Sequence, residues 1–117
     1  MAAVCGFVIK VKNLEKCRAF YRDILLIGEP VTDSNFRTEF ELKGGSRLIL
    51  LHAREEELVH QGTRTAFWLM PDNPDVVLEN LSECGCLPVA DELNLYDPDV
   101  KSFHDPEDNL FYIAVKS

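Results

Sequence analysis

Phe7-Val8-Ile9-Lys10-Val11-Lys12-Asn13-Leu14-Glu15-Lys16-Cys17-Arg18-Ala19-Phe20-Tyr21-Arg22-Asp23 is the stretch on which the fold turns. From Cys5 to Val11 the chain alternates, with Phe7, Ile9 and Val11 on one face and Gly6, Val8 and Lys10 on the other. A period of two is the signature of a strand. Asn13 then offers a side-chain oxygen to cap a helix. After it, Leu14, Cys17, Phe20, Tyr21, Ile24 and Leu25 recur at three- and four-residue steps and form one apolar stripe. The helix is expected to end near Leu26, before Gly28 and Pro30.

Further along, Glu29–Asp33 carries a weak strand signal, and Arg37–Leu42 and Arg47–His52 carry stronger ones. Gly44-Gly45 between the last two reads as a hairpin turn. Residues 5–53 therefore read β-α-β-β-β. After an acidic linker with room for a helical turn at Leu58 and Val59, the order begins again. Arg64–Met70 alternates as a strand. Asn73-Pro74-Asp75 starts a helix with a cap, a proline at the first helical position and an acid in the first turn. Val77, Leu78 and Leu81 supply its stripe and Gly85 its stop. Strands are expected near Leu87–Ala90, Asp99–His104 and Leu110–Val115. The chain is thus expected to be one α+β domain over residues 1–117. Module one spans about 5–53, the linker 54–63, and module two about 64–117. The repeat is one of pattern rather than of residue identity.

Composition narrows the function. The chain has 117 residues, which suits one ordinary core. Twelve Lys and Arg are scattered among 20 Asp and Glu, for a formal net charge of −8. Nucleic-acid binding needs clustered cations against phosphate, so that class is set aside. No run approaches the ~20 apolar residues that span a bilayer, and Met1–Gly6 does not read as a secretory leader. A cytoplasmic location is the expectation, with no membrane partner. Cys5, Cys17, Cys84 and Cys86 lack the spacing of a disulfide framework or zinc site and read as reduced thiols packed as small hydrophobes. His52, His60 and His104 fall in a strand end, a linker and a turn, with no period that would bring them together.

The second-half segment Phe103-His104-Asp105-Pro106-Glu107-Asp108-Asn109-Leu110-Phe111-Tyr112 is the most specific piece. A phenylalanine, Asp-Pro-x-x-Asn and a C-terminal apolar strand together resemble the vicinal-oxygen-chelate superfamily of glyoxalases, extradiol dioxygenases and bleomycin-resistance proteins. The opening strand and helix, with their Phe20-Tyr21 pair, resemble the same family. The resemblance implies two βαβββ modules forming a curved mixed sheet around a cavity, often completed by a homodimer. It places the family's metal ligands at Gly6, near Leu50, at Arg64 and at Tyr112. Gly and Leu have no donor atom, and Arg stays protonated. Divalent ions in such sites want imidazole nitrogen and carboxylate oxygen. No metal or other cofactor is therefore expected.

Strand alternation predicts what would line the cavity instead. Gly6, Val8 and Lys10 share one face, as do Leu48, Leu50 and His52, then Arg64, Ala66 and Trp68, then Leu110, Tyr112 and Ala114. Phe7, Ile9, Val11, Ile49, Leu51, Phe67, Leu69, Phe111, Ile113 and Val115 face the helices. The candidate ligand-binding residues are Tyr112, Trp68, Arg64, His52 and Lys10. An indole plane, a phenol, a fixed cation and an imidazole in apolar surroundings suit a small, partly planar molecule with an anionic or carbonyl group. The expected function is metal-independent binding of a small aromatic or amphipathic ligand in a dimer cavity. The alternative is a lyase, isomerase or dioxygenase-like enzyme with a displaced metal site.

Overall fold

The computed structural model describes residues 6–54, 66–90 and 98–115. The linker with its suggested helical turn, His60 and Arg64 lie outside the described residues. The chain divides into two compact units, Met1–Asp23 with Ile27–Gln61, and Ile24–Leu26 with Gly62–Ser117. Each unit holds one mixed sheet, which makes the fold α+β.

In the first unit, β1 (Gly6–Val11) leads into helix α1 (Leu14–Ala19), followed by β2 (Thr32–Asp33), β3 (Arg37–Glu41) and β4 (Arg47–His52). The sheet order is β1-β4-β3-β2, with β1 parallel to β4 and the other pairs antiparallel. Asn13 caps α1 by accepting from the Lys16 N–H at 3.0 Å. The helical run does not continue as one α-helix to Leu26. From Phe20 to Ile24 it winds as a π-helix. The wider turn lets two neighbours in sequence, Phe20 and Tyr21, both be buried, with their rings edge to face at 5.5 Å. Leu26 then takes a positive φ of 55° and breaks the winding. Gly44 and Gly45, both with φ near +90° (87° and 89°), form the turn between β3 and β4 as expected.

Helix α1 packs on β3 and β4. Its Leu14 and Cys17 are buried together with Ile9, Val11, Phe40, Leu48 and Leu50 of the strands. A polar clasp ties the helix to the sheet edge. Arg18 Nη1 donates to Asp33 Oδ1 at 2.7 Å, and the buried Thr38 hydroxyl donates to the same oxygen at 3.1 Å.

In the second unit, β5 (Phe67–Leu69) is followed by helix α2 (Pro74–Glu83), β6 (Val100–His104) and β7 (Leu110–Ala114). The sheet order is β5-β7-β6, with β7 central, parallel to β5 and antiparallel to β6. The strand expected at Leu87–Ala90 shrinks to a single bridge, Val89 to Ser102. Four residues with a proline at 88 offer too few backbone donors for a ladder. Asn73 caps α2 through the Val76 N–H. Gly85, at φ 82°, ends it, with the Cys86 N–H bonded back to the Leu81 carbonyl and the Gly85 N–H to that of Ser82. No helix among the described residues is long and apolar enough to cross a membrane.

The Asp-Pro-x-x-Asn segment is the hairpin between β6 and β7. The buried Asp105 carboxylate accepts from the Glu107 N–H, the Asn109 N–H and the Asn109 side-chain amide, all at 2.9–3.2 Å. The Asp105 N–H donates to the Asn109 carbonyl, and Asp108 sits at φ 66°. The motif is therefore a self-contained clamp on the turn. Replacing Asp105 by Ala strips the shared acceptor from these part-buried donors and is expected to cost about 2–3 kcal/mol in urea unfolding. Asn73→Ala, which removes only a helix cap, is expected to cost about 1 kcal/mol.

Candidate functional site

Pairing registers decide which side chains share a face. In the second unit the row Phe67, Phe111 and Phe103 crosses all three strands on the buried side. Its rings stack at 6.0 and 5.8 Å. The next row, Trp68, Tyr112 and Ser102, must then lie on the opposite face, which is open at Trp68 and closed over Ser102. Trp68 and Tyr112 therefore share a face. Exposure falls steeply along the row. Trp68 is 55% exposed, Tyr112 is half-buried, and Ser102 is fully buried. One row away, His104 pairs with Leu110 on the same open face and is exposed. It closes β6 rather than lying in the turn.

The first unit corrects the sequence reading. Leu50 pairs with Ile9, Leu48 with Phe7, and His52 with Val11. Leu48, Leu50 and His52 therefore share the side of Ile9 and Val11, which α1 covers, and Leu48 and Leu50 are buried there. The open face instead carries Gly6, Val8 and Lys10 of β1 with Arg47, Ile49 and Leu51 of β4. Lys10 is exposed on this side. His52 is exposed at a strand end on the opposite side, so the two are not brought together. The error has a simple cause: Leu48-Ile49-Leu50-Leu51 is apolar at every position, so alternation carries no phase.

The same open face bears a charge cluster that sequence reasoning passed over. Glu39 pairs with Ile49 and is nearly buried. Arg47 Nη1 donates to Glu39 Oε1 at 2.8 Å, and Arg37 Nη2 lies 3.5 Å from Oε2. The hydrogen bond to Glu39, with its charge, holds the Arg47 guanidinium still more firmly protonated. Arg37, Glu39 and Glu41 are spaced two apart in β3, which is the only trace such a cluster leaves in the sequence.

The positions that the resemblance assigns to metal ligands do not form a donor set. Gly6 has no side chain, Leu50 faces the core, and Tyr112 is a phenol between Trp68 and Ser102. Among the described residues, no three His, Cys, Asp or Glu converge to hold a metal ion. Gly6, Leu50 and Tyr112 do not fit a divalent ion.

Cys17, Cys84 and Cys86 are free thiols. Cys17 is buried, whereas Cys84 is exposed rather than packed. Cys86 donates to the His104 carbonyl at 3.3 Å. Burial pushes the Cys86 thiol up, and its neighbour Cys84 adds to the shift. A raised folded-state value keeps the proton on while the unfolded chain loses it, so this group weakens the fold as pH climbs past the ordinary thiol value of ~8.5. At pH 8, iodoacetamide is expected to label Cys84 first, Cys86 more slowly and Cys17 only after unfolding, as peptide mapping would show.

No family model and no curated protein matches the sequence. Solved structures do match in fold. A lactoylglutathione lyase from Agrobacterium tumefaciens superposes with a TM-score of 0.71 at 16% identity, covering 97% of this chain and 93% of its own. TnmS3, an antibiotic binding protein from Streptomyces sp. CB03234, gives 0.68 at 19% identity, covering 97% and 95%. A glyoxylase/bleomycin resistance protein/dioxygenase domain from Frankia sp. EAN1pec gives 0.67 at 17% identity, covering 100% and 99%. The chain has the glyoxalase/bleomycin-resistance fold, the fold of the vicinal-oxygen-chelate superfamily.

Proposed function

We propose that this protein is a cytoplasmic, metal-independent member of the vicinal-oxygen-chelate superfamily that binds a small aromatic or amphipathic molecule in a cavity completed by a homodimer. The observation that carries the reading is the second unit's pairing of an indole and a phenol side by side on one face of the sheet. An aromatic plane with a hydroxyl at its edge favours planar ligands that carry a polar group. The lack of fit to a divalent ion supports binding over metal-assisted turnover. Lys10, on the open face of the first unit, contributes a cation for an anionic ligand. Arg64 is assigned a second cation on the strength of its place in the sequence, four residues before Trp68. His52 is not assigned a role, because its face is the wrong one.

A thermal-shift screen with small planar aromatic acids and glycopeptide-type antibiotics tests this. At least one compound is expected to stabilise the protein, by about 2.7 kcal/mol at a concentration a hundredfold above its Kd. The shift is expected to vanish in Trp68→Ala and to shrink in Tyr112→Ala. A clean negative on folded protein counts against binding. Stoichiometric Zn, Ni, Mn or Fe in the purified protein would replace this reading with that of a metal-dependent lyase, isomerase or dioxygenase-like enzyme.

A further inference from the structure

We propose that Cys84 and Cys86 are a thiol–disulfide exchange pair, taking small disulfides of the glutathione class and closing an internal disulfide at the end of α2. The inference stands apart from the ligand-binding reading and uses a different part of the second unit. Cys84 caps the C-terminus of α2, Gly85 at φ 82° reverses the chain, and Cys86 follows. Both cysteines are held about one carbonyl. The Leu81 oxygen accepts from the Cys84 thiol at 3.3 Å and from the Cys86 N–H at 2.9 Å. Two peptide units span at most about 7.6 Å between Cα atoms. The turn at Gly85 shortens that span towards the roughly 4.4–6.8 Å over which disulfides form.

The two thiols differ in a way that sets the order of the steps. Cys84 is exposed, whereas Cys86 is half-buried with its thiol donating to the His104 carbonyl at 3.3 Å. Burial, and after it the charge of Cys84, keeps the proton on Cys86. Cys84 therefore attacks first. Its thiolate displaces one glutathione from glutathione disulfide and forms a mixed disulfide. Cys86 then gives up its proton and attacks the Cys84 sulfur, expelling the second glutathione. Two protein thiols are oxidised, one glutathione disulfide is reduced, and the two protein protons end on the two glutathione thiols. The product carries a structural mark. A disulfide sulfur has no hydrogen to donate, so the His104 carbonyl loses its donor. That carbonyl shares its peptide bond with the Asp105 N–H, which is bonded to the Asn109 carbonyl in the turn clamp. Oxidation at the helix end is thereby felt at the hairpin between β6 and β7.

To test this, the whole chain is incubated with excess glutathione disulfide, quenched with iodoacetamide and digested with trypsin. Peptide 65–101 carries Cys84 and Cys86 and no other cysteine. Wild type is expected to yield that peptide two hydrogens lighter, without glutathione and without alkylation, and to recover both thiols in dithiothreitol. Cys86→Ser is expected to stop at a glutathione adduct on Cys84, and Cys84→Ser to form its adduct more slowly. In ¹⁵N-correlated NMR spectra of wild type, the Asp105 amide is expected to shift on oxidation and to return on reduction. A wild-type chain that stops at the mixed disulfide, crosslinks to a second chain or does not react overturns the exchange pair. Equal rates in the two variants overturn the assignment of Cys84 as the attacking thiol. An internal disulfide that leaves the Asp105 amide in place overturns the link to the hairpin.

Discussion

The stack of Phe67, Phe111 and Phe103 is the constraint from which the second unit follows. Three strands each contribute one ring to a single buried row. With the side-chain period of a strand at two, burying that row leaves one place for the next. Trp68, Tyr112 and Ser102 are turned to the other face because the phenylalanines take this one. A slip of one residue would bury the indole and expose the rings, and the loss of apolar burial would resist it. The Asp105 clamp adds a second, polar lock on the register of β6 and β7, because it fixes the length of the turn between them.

The two units solve the same problem with different chemistry. In the first, the buried side mixes aliphatic side chains with Phe40 and is covered by α1, with the Arg18–Asp33–Thr38 clasp at the sheet edge. Its open side mixes Val8, Ile49 and Leu51 with a carboxylate held between two guanidinium groups. Glu39 is affordable there only because its charge is paired on both oxygens. In the second unit the open side is aromatic and hydroxylic.

Much of the architecture was legible in the chain. The caps at Asn13 and Asn73, the glycine stop at Gly85, the double-glycine turn and the alternation of β1, β5 and β7 each left a local signal, and each has a local cause. Three features did not. The π-helical turn at Phe20 arises from burying two adjacent aromatic residues, which helical periodicity treats as one stripe. Leu87–Ala90 has strand-like residues but too few free backbone groups to pair. Along β4, four consecutive apolar side chains made the two faces indistinguishable, so Leu48, Leu50 and His52 were assigned to the wrong side.

The candidate site divides along the same line. Alternation groups Trp68 apart from Phe67 and Leu69, Tyr112 apart from Phe111 and Ile113, and Lys10 with Gly6 and Val8, and the registers keep those groupings. Glycine and leucine bring no metal-donor atom wherever they fold, and arginine stays protonated, so that much chemistry is fixed by residue type alone. The pairing of Ser102 with Tyr112, and of Glu39 with Arg47, comes from residues far apart in the chain, joined through registers that only the assembled sheets decide. The sequence by itself determined the order of the elements and the chemistry available to them. The tertiary structure decided which of those groups share a face, because that choice belongs to the hydrogen-bonded register between strands and not to any strand alone.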